Sequence, residues 1–182
     1  MSKHLDSISK FLSYVLRHEP HAIGITLDHE GWVNIDTLVL AANQSGQMLT
    51  RELVEQVVDQ NDKKRFSISE DAQRIRAAQG HSTPTVSIQH VEKQPPECLY
   101  HGTATRFIES ILQQGLTAQA RQHVHLSESS QTALSVGQRY GQPVLLKIQA
   151  QRMYQQGFRF FQADNGVWLT AHVPVDFLEL AY

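Results

Sequence analysis

One cysteine, Cys98, is all the thiol this chain of 182 residues carries. That excludes an intrachain disulfide framework and any zinc cluster built on cysteines. Next to apolar Leu99, Cys98 itself reads as a quiet core or strand residue. Long apolar runs are also missing: none approaches the roughly 20 residues that a helix needs to span a bilayer. Met1-Ser2-Lys3-His4 leads directly into a polar amphipathic segment, unlike the apolar stretch of a signal peptide. The expectation is a cytoplasmic protein with no membrane association and no obligate protein partner. Charge of one sign is absent too, with 9 Lys+Arg against 11 Asp+Glu in residues 1–90 and 7 against 7 in residues 91–182. This balance excludes a protein that coats nucleic acid nonspecifically, while leaving room for a locally positive RNA site. There is no Gly-x-Gly-x-x-Gly fingerprint, which removes a Rossmann hydride-transfer enzyme. The 10 histidines are scattered without metal-site spacing, and no metal is expected.

Hydrophobic residues make up 41% of the chain, enough for real cores. Leu5, Ile8, Leu12, Val15 and Leu16 recur at helical spacing, and Pro20 closes that segment. Arg17 and His18 then fall in the last turn, where positive charge suits the helix dipole. Asn34 is placed to cap a second helix with Ile35, Leu38, Val39 and Ala42 inward, and Thr50 a third with Leu53, Val57 and Val58. Arg65–Ile68 and Gln73–Ala77 alternate with a period of two around a polar turn, and Arg74 and Arg76 share a strand face opposite Ile75. Three helices followed by a hairpin is the order of a winged-helix lobe. Val86 and Ile88 begin another strand pattern, and Pro95-Pro96 punctuates the chain. Beyond it come a strand at Cys98–His101, a helix at Thr105–Gln114 stopped by Gly115, a strand at His123–Leu126 and a polar helix toward Arg139. Strands follow at Val144–Ile148, Phe158–Phe161, Val167–Leu169 and Phe177–Leu180. The class expected is α+β, with lobes at 1–90 and 91–182 and a split antiparallel sheet with two helices in the second.

The chemistry concentrates in His101-Gly102-Thr103-Ala104 and in three arginine-bearing segments, Leu16-Arg17-His18, Lys63-Lys64-Arg65-Phe66 and Arg121-Gln122-His123-Val124-His125-Leu126-Ser127. A strand ending in His-Gly-Thr offers an imidazole, bare backbone groups and a hydroxyl. Three guanidiniums can embrace a phosphate dianion with rigid forked donors, as lysine cannot. The bland alternatives are a helix cap for Arg17 and His18, and a strand end with Thr103 or Thr105 capping the next helix. Starting a strand at Arg121 would put Arg121, His123 and His125 on one side. Asp164-Asn165-Gly166 is a turn signal. Arg139-Tyr140-Gly141 reads as surface packing or as a helix end near a cofactor.

These segments, with Gly80-His81-Ser82 and Asn165-Gly166-Val167-Trp168-Leu169-Thr170, resemble the RNA 2'-phosphotransferase family (Tpt1/KptA) from about Leu5 onward and in family order. The resemblance implies an ADP-ribosyltransferase-like second lobe that binds NAD through His101, Gly102, Thr103, His125 and Ser127. It also implies that the family's Arg-His-Arg-Arg set falls on Arg17, His18, Arg65 and Arg121. The substrate implied is RNA bearing an internal 2'-phosphate at a splice junction, tRNA among them. The phosphate attacks C1 of the nicotinamide ribose, and the neighbouring ribose hydroxyl then attacks phosphorus, releasing nicotinamide and ADP-ribose 1'',2''-cyclic phosphate. Val167 stands near the place where related transferases carry a glutamate. A phosphate dianion needs no base, which suits that absence. Two other readings stand beside this one: an ADP-ribosyltransferase that modifies terminal phosphates of nucleic acid and stops there, and a nonenzymatic winged-helix regulator. The segment Thr50-Arg51-Glu52-Leu53-Val54-Glu55 lacks the basic excess the regulator would need.

Overall fold

All five residues of the first apolar stripe are buried along α1, which runs Lys3–Arg17. The computed structural model describes residues 3–181; Met1 and Ser2, which begin the segment read above as no signal peptide, and Tyr182 lie outside them. The chain forms two units, one up to Gln89 and one from His90.

In the first unit α1 is followed by β1 (Val33–Asn34), α2 (Ile35–Gln44) and α3 (Arg51–Asp59). The Asn34 side chain accepts from the N–H groups of Asp36 at 2.9 Å and Thr37 at 3.1 Å, and the Thr50 hydroxyl from Leu53 at 3.3 Å. Each such cap is worth about 1 kcal/mol. Ile35, Leu38 and Ala42 face the core as expected. On α3 the buried pair is Val54 and Val57, with Leu53 and Val58 only packed against it. Strands β2 (Phe66–Ile68) and β3 (Arg74–Ala77) form the hairpin, and β1 takes the other side of β3, so the antiparallel order is β1-β3-β2. Ile75 is fully buried, while on the opposite face Arg76 lies 4.5 Å from the Trp32 ring and pairs with Glu30 at 3.2 Å. Val86 and Ile88 are buried but form no strand; they pack into the unit's core as irregular chain.

The second unit opens with β4 (Val91–Glu92) and β5 (Leu99–Ala104). A 3₁₀ turn at Thr105–Phe107 precedes α4 (Ile108–Gln114), and Gly115 ends it at φ +77°. Neither Thr103 nor Thr105 caps this segment; Ala104 stands at the cap position without a side-chain bond. Then come β6 (Leu116–Thr117), β7 (Val124–Leu126), α5 (Ser130–Gly137), a 3₁₀ turn at Gln138–Tyr140 and β8 (Pro143–Ile148). The short helix α6 (Ala150–Gln155) is a third helix where two were expected. Strands β9 (Phe160–Gln162), β10 (Trp168–Thr170), β11 (His172–Val173) and β12 (Leu178–Ala181) complete the unit.

Its two larger antiparallel sheets have the orders β4-β9-β10-β7 and β12-β8-β5. They meet at one bridge: Tyr100 N–H donates to the Ser127 carbonyl at 2.8 Å, and Ser127 N–H to the Tyr100 carbonyl at 2.9 Å. Against β5 packs α5, backbone to backbone. A Cβ on Gly102 would stand 1.7 Å from the Ala133 carbonyl oxygen, and one on Gly137 2.5 Å from that of Thr103. Side chains larger than hydrogen cannot occupy that crossing. No helix among the described residues is long and apolar enough to cross a membrane.

Candidate functional site

In the first unit three of the singled-out residues come together. Arg17 closes α1, and its Nη2 donates to the Arg65 carbonyl at 3.5 Å across 48 residues of sequence. Arg65 enters β2, and its Nη1 donates to Asn61 Oδ1 at 3.2 Å. Asn61 is only 3% exposed; its Oδ1 also accepts from Lys63 N–H at 3.1 Å, and its Nδ2 donates to Ser9 at 3.3 Å. This buried amide ties the Lys63-Lys64-Arg65 turn to α1. Its signal in the sequence is only an ordinary turn residue, so reading the chain did not find it. The exposed His18 places Nδ1 2.9 Å from the Ser82 hydroxyl. Ser82 N–H and the Thr83 hydroxyl both donate to the Arg17 carbonyl, at 2.9 and 3.0 Å. The Gly80-His81-Ser82 segment, whose role the sequence left open, is therefore a strap over the C-terminal end of α1. It satisfies one of the carbonyls a helix leaves unpaired there. Arg65's field also reaches Asp6, whose carboxyl is held below its usual range chiefly by the Lys10 ammonium bonded to it.

The second unit gathers His101, Arg121 and His125. His101 Nδ1 lies 3.0 Å from the His125 carbonyl. A carbonyl only accepts, so Nδ1 carries the proton. Burial lowers the His101 pKa, and the Arg121 charge acts in the same direction, against the His125 carbonyl. The ring is thus neutral near pH 7, with Nε2 left as an acceptor. Arg121 Nη1 approaches His125 Nδ1 at 2.7 Å, and since a guanidinium only donates, that nitrogen accepts.

The alternation of Arg121, His123 and His125 that a strand starting at Arg121 would give does not form, and the strand expected from His123 starts one residue later. β7 begins at Val124, and Arg121 lies in a bend whose N–H donates to Ala118, reaching His125 by folding back. His123 packs instead against the rings of His90 and Phe161, at 6.1 and 5.9 Å. Ser127 Oγ accepts from Ser129 N–H at 3.1 Å, at the start of α5. Thr103 is buried, on the strand face shared with His101.

The Tyr100–Ser127 bridge fixes the phase of β5. Because Tyr100 turns its N–H and C=O away from β8, strand alternation turns those of Gly102 the same way. Gly102 thus offers one donor and one acceptor along a strand edge, while its missing side chain is required by α5. Val167 sits in the Asp164-Asn165-Gly166 turn, its N–H donating to Asn165 Oδ1 at 3.3 Å, and carries no acid. A carboxylate that does reach β10 is that of Glu128, which accepts from Trp168 Nε1 at 2.7 Å and was not singled out in the sequence. Among the described residues no group of three His, Cys, Asp or Glu side chains could hold a metal ion.

Burial pushes both His101 and His123 below the ordinary histidine value, near 6.5. The unfolded chain therefore takes up protons at a higher pH than the folded unit. The resulting stability is whole above about pH 6.5 and is lost as pH falls from there toward the lowered folded values. His123→Phe, which keeps a ring in place, should make the melting temperature of the second unit less sensitive to acid. Equal pH slopes for parent and variant would refute this.

The chain matches the RNA 2'-phosphotransferase, Tpt1/KptA family over residues 3–172. It is 60% identical over 176 residues to a probable RNA 2'-phosphotransferase of Pseudomonas syringae pv. tomato, covering 97% of this chain and 94% of that one. A protein of the same description from Pectobacterium carotovorum subsp. carotovorum is 60% identical over 178 residues, with 98% and 95% covered. One from Escherichia coli O45:K1 is 57% identical over 177 residues, with 97% and 91% covered.

Proposed function

Because the chain belongs to the RNA 2'-phosphotransferase, Tpt1/KptA family, we propose that it removes an internal 2'-phosphate from RNA, such as a tRNA splice junction, and consumes NAD as the second substrate. The observation that carries this reading is the convergence of the Arg17-His18 helix end on Arg65, 48 residues away, with Ser82, 64 residues from His18, holding the imidazole. The guanidiniums of two half-buried arginines beside an imidazole suit a phosphate dianion.

The first unit, with three helices and the β1-β3-β2 sheet, reads as a winged-helix lobe that holds the RNA phosphate. The second reads as an ADP-ribosyltransferase-like lobe for NAD. Its residues suit that nucleotide. The unprotonated Nε2 of His101 accepts from a ribose hydroxyl, and the Gly102 edge presents the N–H and C=O that a carboxamide complements. Thr103, His125 and Ser127 complete the proposed nucleotide set. When bound, NAD supplies an electrophilic sugar carbon whose leaving group, nicotinamide, departs neutral.

The phosphate displaces nicotinamide at that carbon, giving an ADP-ribosylated phosphate. The adjacent ribose 2-hydroxyl then bonds to phosphorus, giving up its proton to water, as the bond to the RNA 2'-oxygen breaks, releasing ADP-ribose 1'',2''-cyclic phosphate. Arg17 and Arg65 orient the phosphoryl oxygens and offset the charge that builds on them; Arg121 is the remaining member of the catalytic set that the family resemblance implies. His18, held at Nδ1 by Ser82, delivers a proton from Nε2 to the departing RNA oxygen.

Incubation with NAD and a 2'-phosphorylated oligonucleotide, with every product identified by mass, tests the proposal. Nicotinamide, the cyclic phosphate and RNA with a free 2'-hydroxyl are expected. A stable ADP-ribosyl adduct would favour the terminal-phosphate transferase instead, and failure to release nicotinamide would remove NAD from the reaction.

A further inference from the structure

We propose that Phe107 and Tyr140, flanked by Arg106 and Arg139, form a stacking platform for unpaired bases of the RNA substrate; the inference rests on the reading of RNA as substrate. Phe107 is 41% exposed and Tyr140 47%, yet the rings meet edge to face at 6.5 Å. An exposed aromatic alone is ordinary, but two in contact with cations beside them form a surface.

The fold builds this pairing deliberately. Phe107 ends the 3₁₀ turn after β5, and Tyr140 ends the one after α5. Both turns leave from the Gly102–Gly137 crossing, where strand and helix backbones touch, and Thr105 N–H donates to the Gln142 carbonyl at 3.0 Å to hold them side by side.

Charge selects the occupant. Arg51, Arg74, Arg76 and Arg159 are ion-paired to carboxylates, and Arg17, Arg65, Arg121 and Arg152 make hydrogen bonds. Arg106 and Arg139 make neither among the described residues, although Glu109 lies close to Arg106 in sequence. The Arg106 guanidinium rests 4.7 Å from the Phe107 ring, and Arg139 precedes Tyr140 in its turn. Unneutralised guanidiniums beside open rings match a single strand, whose bases stack while its phosphates meet the cations. A duplex hides its base faces and would gain only from the charges. The platform lies past the end of β5, beyond the ~10 Å of strand that separates His101 from Ala104. It would therefore engage nucleotides flanking the reacting one.

Anisotropy of a labelled, unphosphorylated single-stranded oligoribonucleotide tests this with the full chain. The double variant Phe107→Ala/Tyr140→Ala should weaken binding about tenfold or more, and Phe107→Trp should retain it. Arg106→Ala/Arg139→Ala should weaken binding and flatten its salt dependence. Nicotinamide release with a 2'-phosphorylated dinucleotide, too short to reach the platform, should be unchanged in every variant; this also reports that they fold. Parental affinity in both double variants, tighter binding of duplex than of single strand, or no single-strand binding by the parent protein would each overturn the proposal. Lack of dinucleotide turnover by the parent counts against the reaction alone, and strand binding then still decides the platform.

Discussion

Arg65→Ala should slow turnover of limiting 2'-phosphorylated RNA by a hundredfold or more. The side chain is half-buried, its Nη1 is anchored to Asn61, and its backbone carbonyl receives Arg17. On the proposed reading, removal deletes an oriented forked donor to the phosphate, a loss on the scale of about 3 kcal/mol of transition-state stabilisation. Arg65→Lys should recover little, because an ammonium cannot reproduce the planar fork. Asn61 Oδ1 keeps the Lys63 N–H as a partner, so the fold should survive. A melt run beside the kinetics checks that. Near-parental turnover by a folded Arg65→Ala protein would remove Arg65 from the phosphate site.

Gly102→Ala carries the largest expected structural effect. The added methyl would lie 1.7 Å from the Ala133 oxygen and 2.4 Å from its carbonyl carbon. Those atoms are helix backbone and cannot rotate aside, so α5 must move off β5. The cost falls at the top of the overpacking range, about 3 kcal/mol, which for a unit of this size lowers the melting temperature by roughly 12 °C or more. The variant also separates two reasons for the glycine. If Gly102 serves only to bare its backbone to a ligand, alanine keeps the parental melting temperature and affects nucleotide binding alone. An unchanged melt would overturn the packing account.

Both features lie at the margin of what the sequence could announce. Helices with a buried stripe and a side-chain cap were legible, because α1 repeats its apolar residues over four turns and Asn34 and Thr50 are strong cap residues. The hairpin of the first unit was legible for the same reason, its alternation being set by burial on one face. α6 was not: over Ala150–Gln155 it buries only Ala150 and Met153, too few positions to establish a period. Val86 and Ile88 misled because burial alone looks like a strand when no partner strand is specified. At the candidate site, the residue types suited to phosphate could be named from sequence, but their neighbours could not. Ser82 reaches His18 across 64 residues, and Asn61 matters only because folding buries it. The spacing would put Arg121 on the face of His125 only if a strand began there, whereas the chain brings Arg121 to His125 through a bend.

The two larger sheets of the second unit meet along a narrow seam. Tyr100 and Ser127 exchange two main-chain hydrogen bonds, and the imidazole of His101 adds a third link to the His125 carbonyl. These three bonds, against a ladder of six residue pairs between β5 and β8, join the sheets together with the apolar core that both share. The groups assigned to NAD straddle this line, His101 and Gly102 on one bank and His125 and Ser127 on the other. Widening the seam to admit a dinucleotide would leave each sheet intact, and a ligand grasped from both banks would act as a clasp across it.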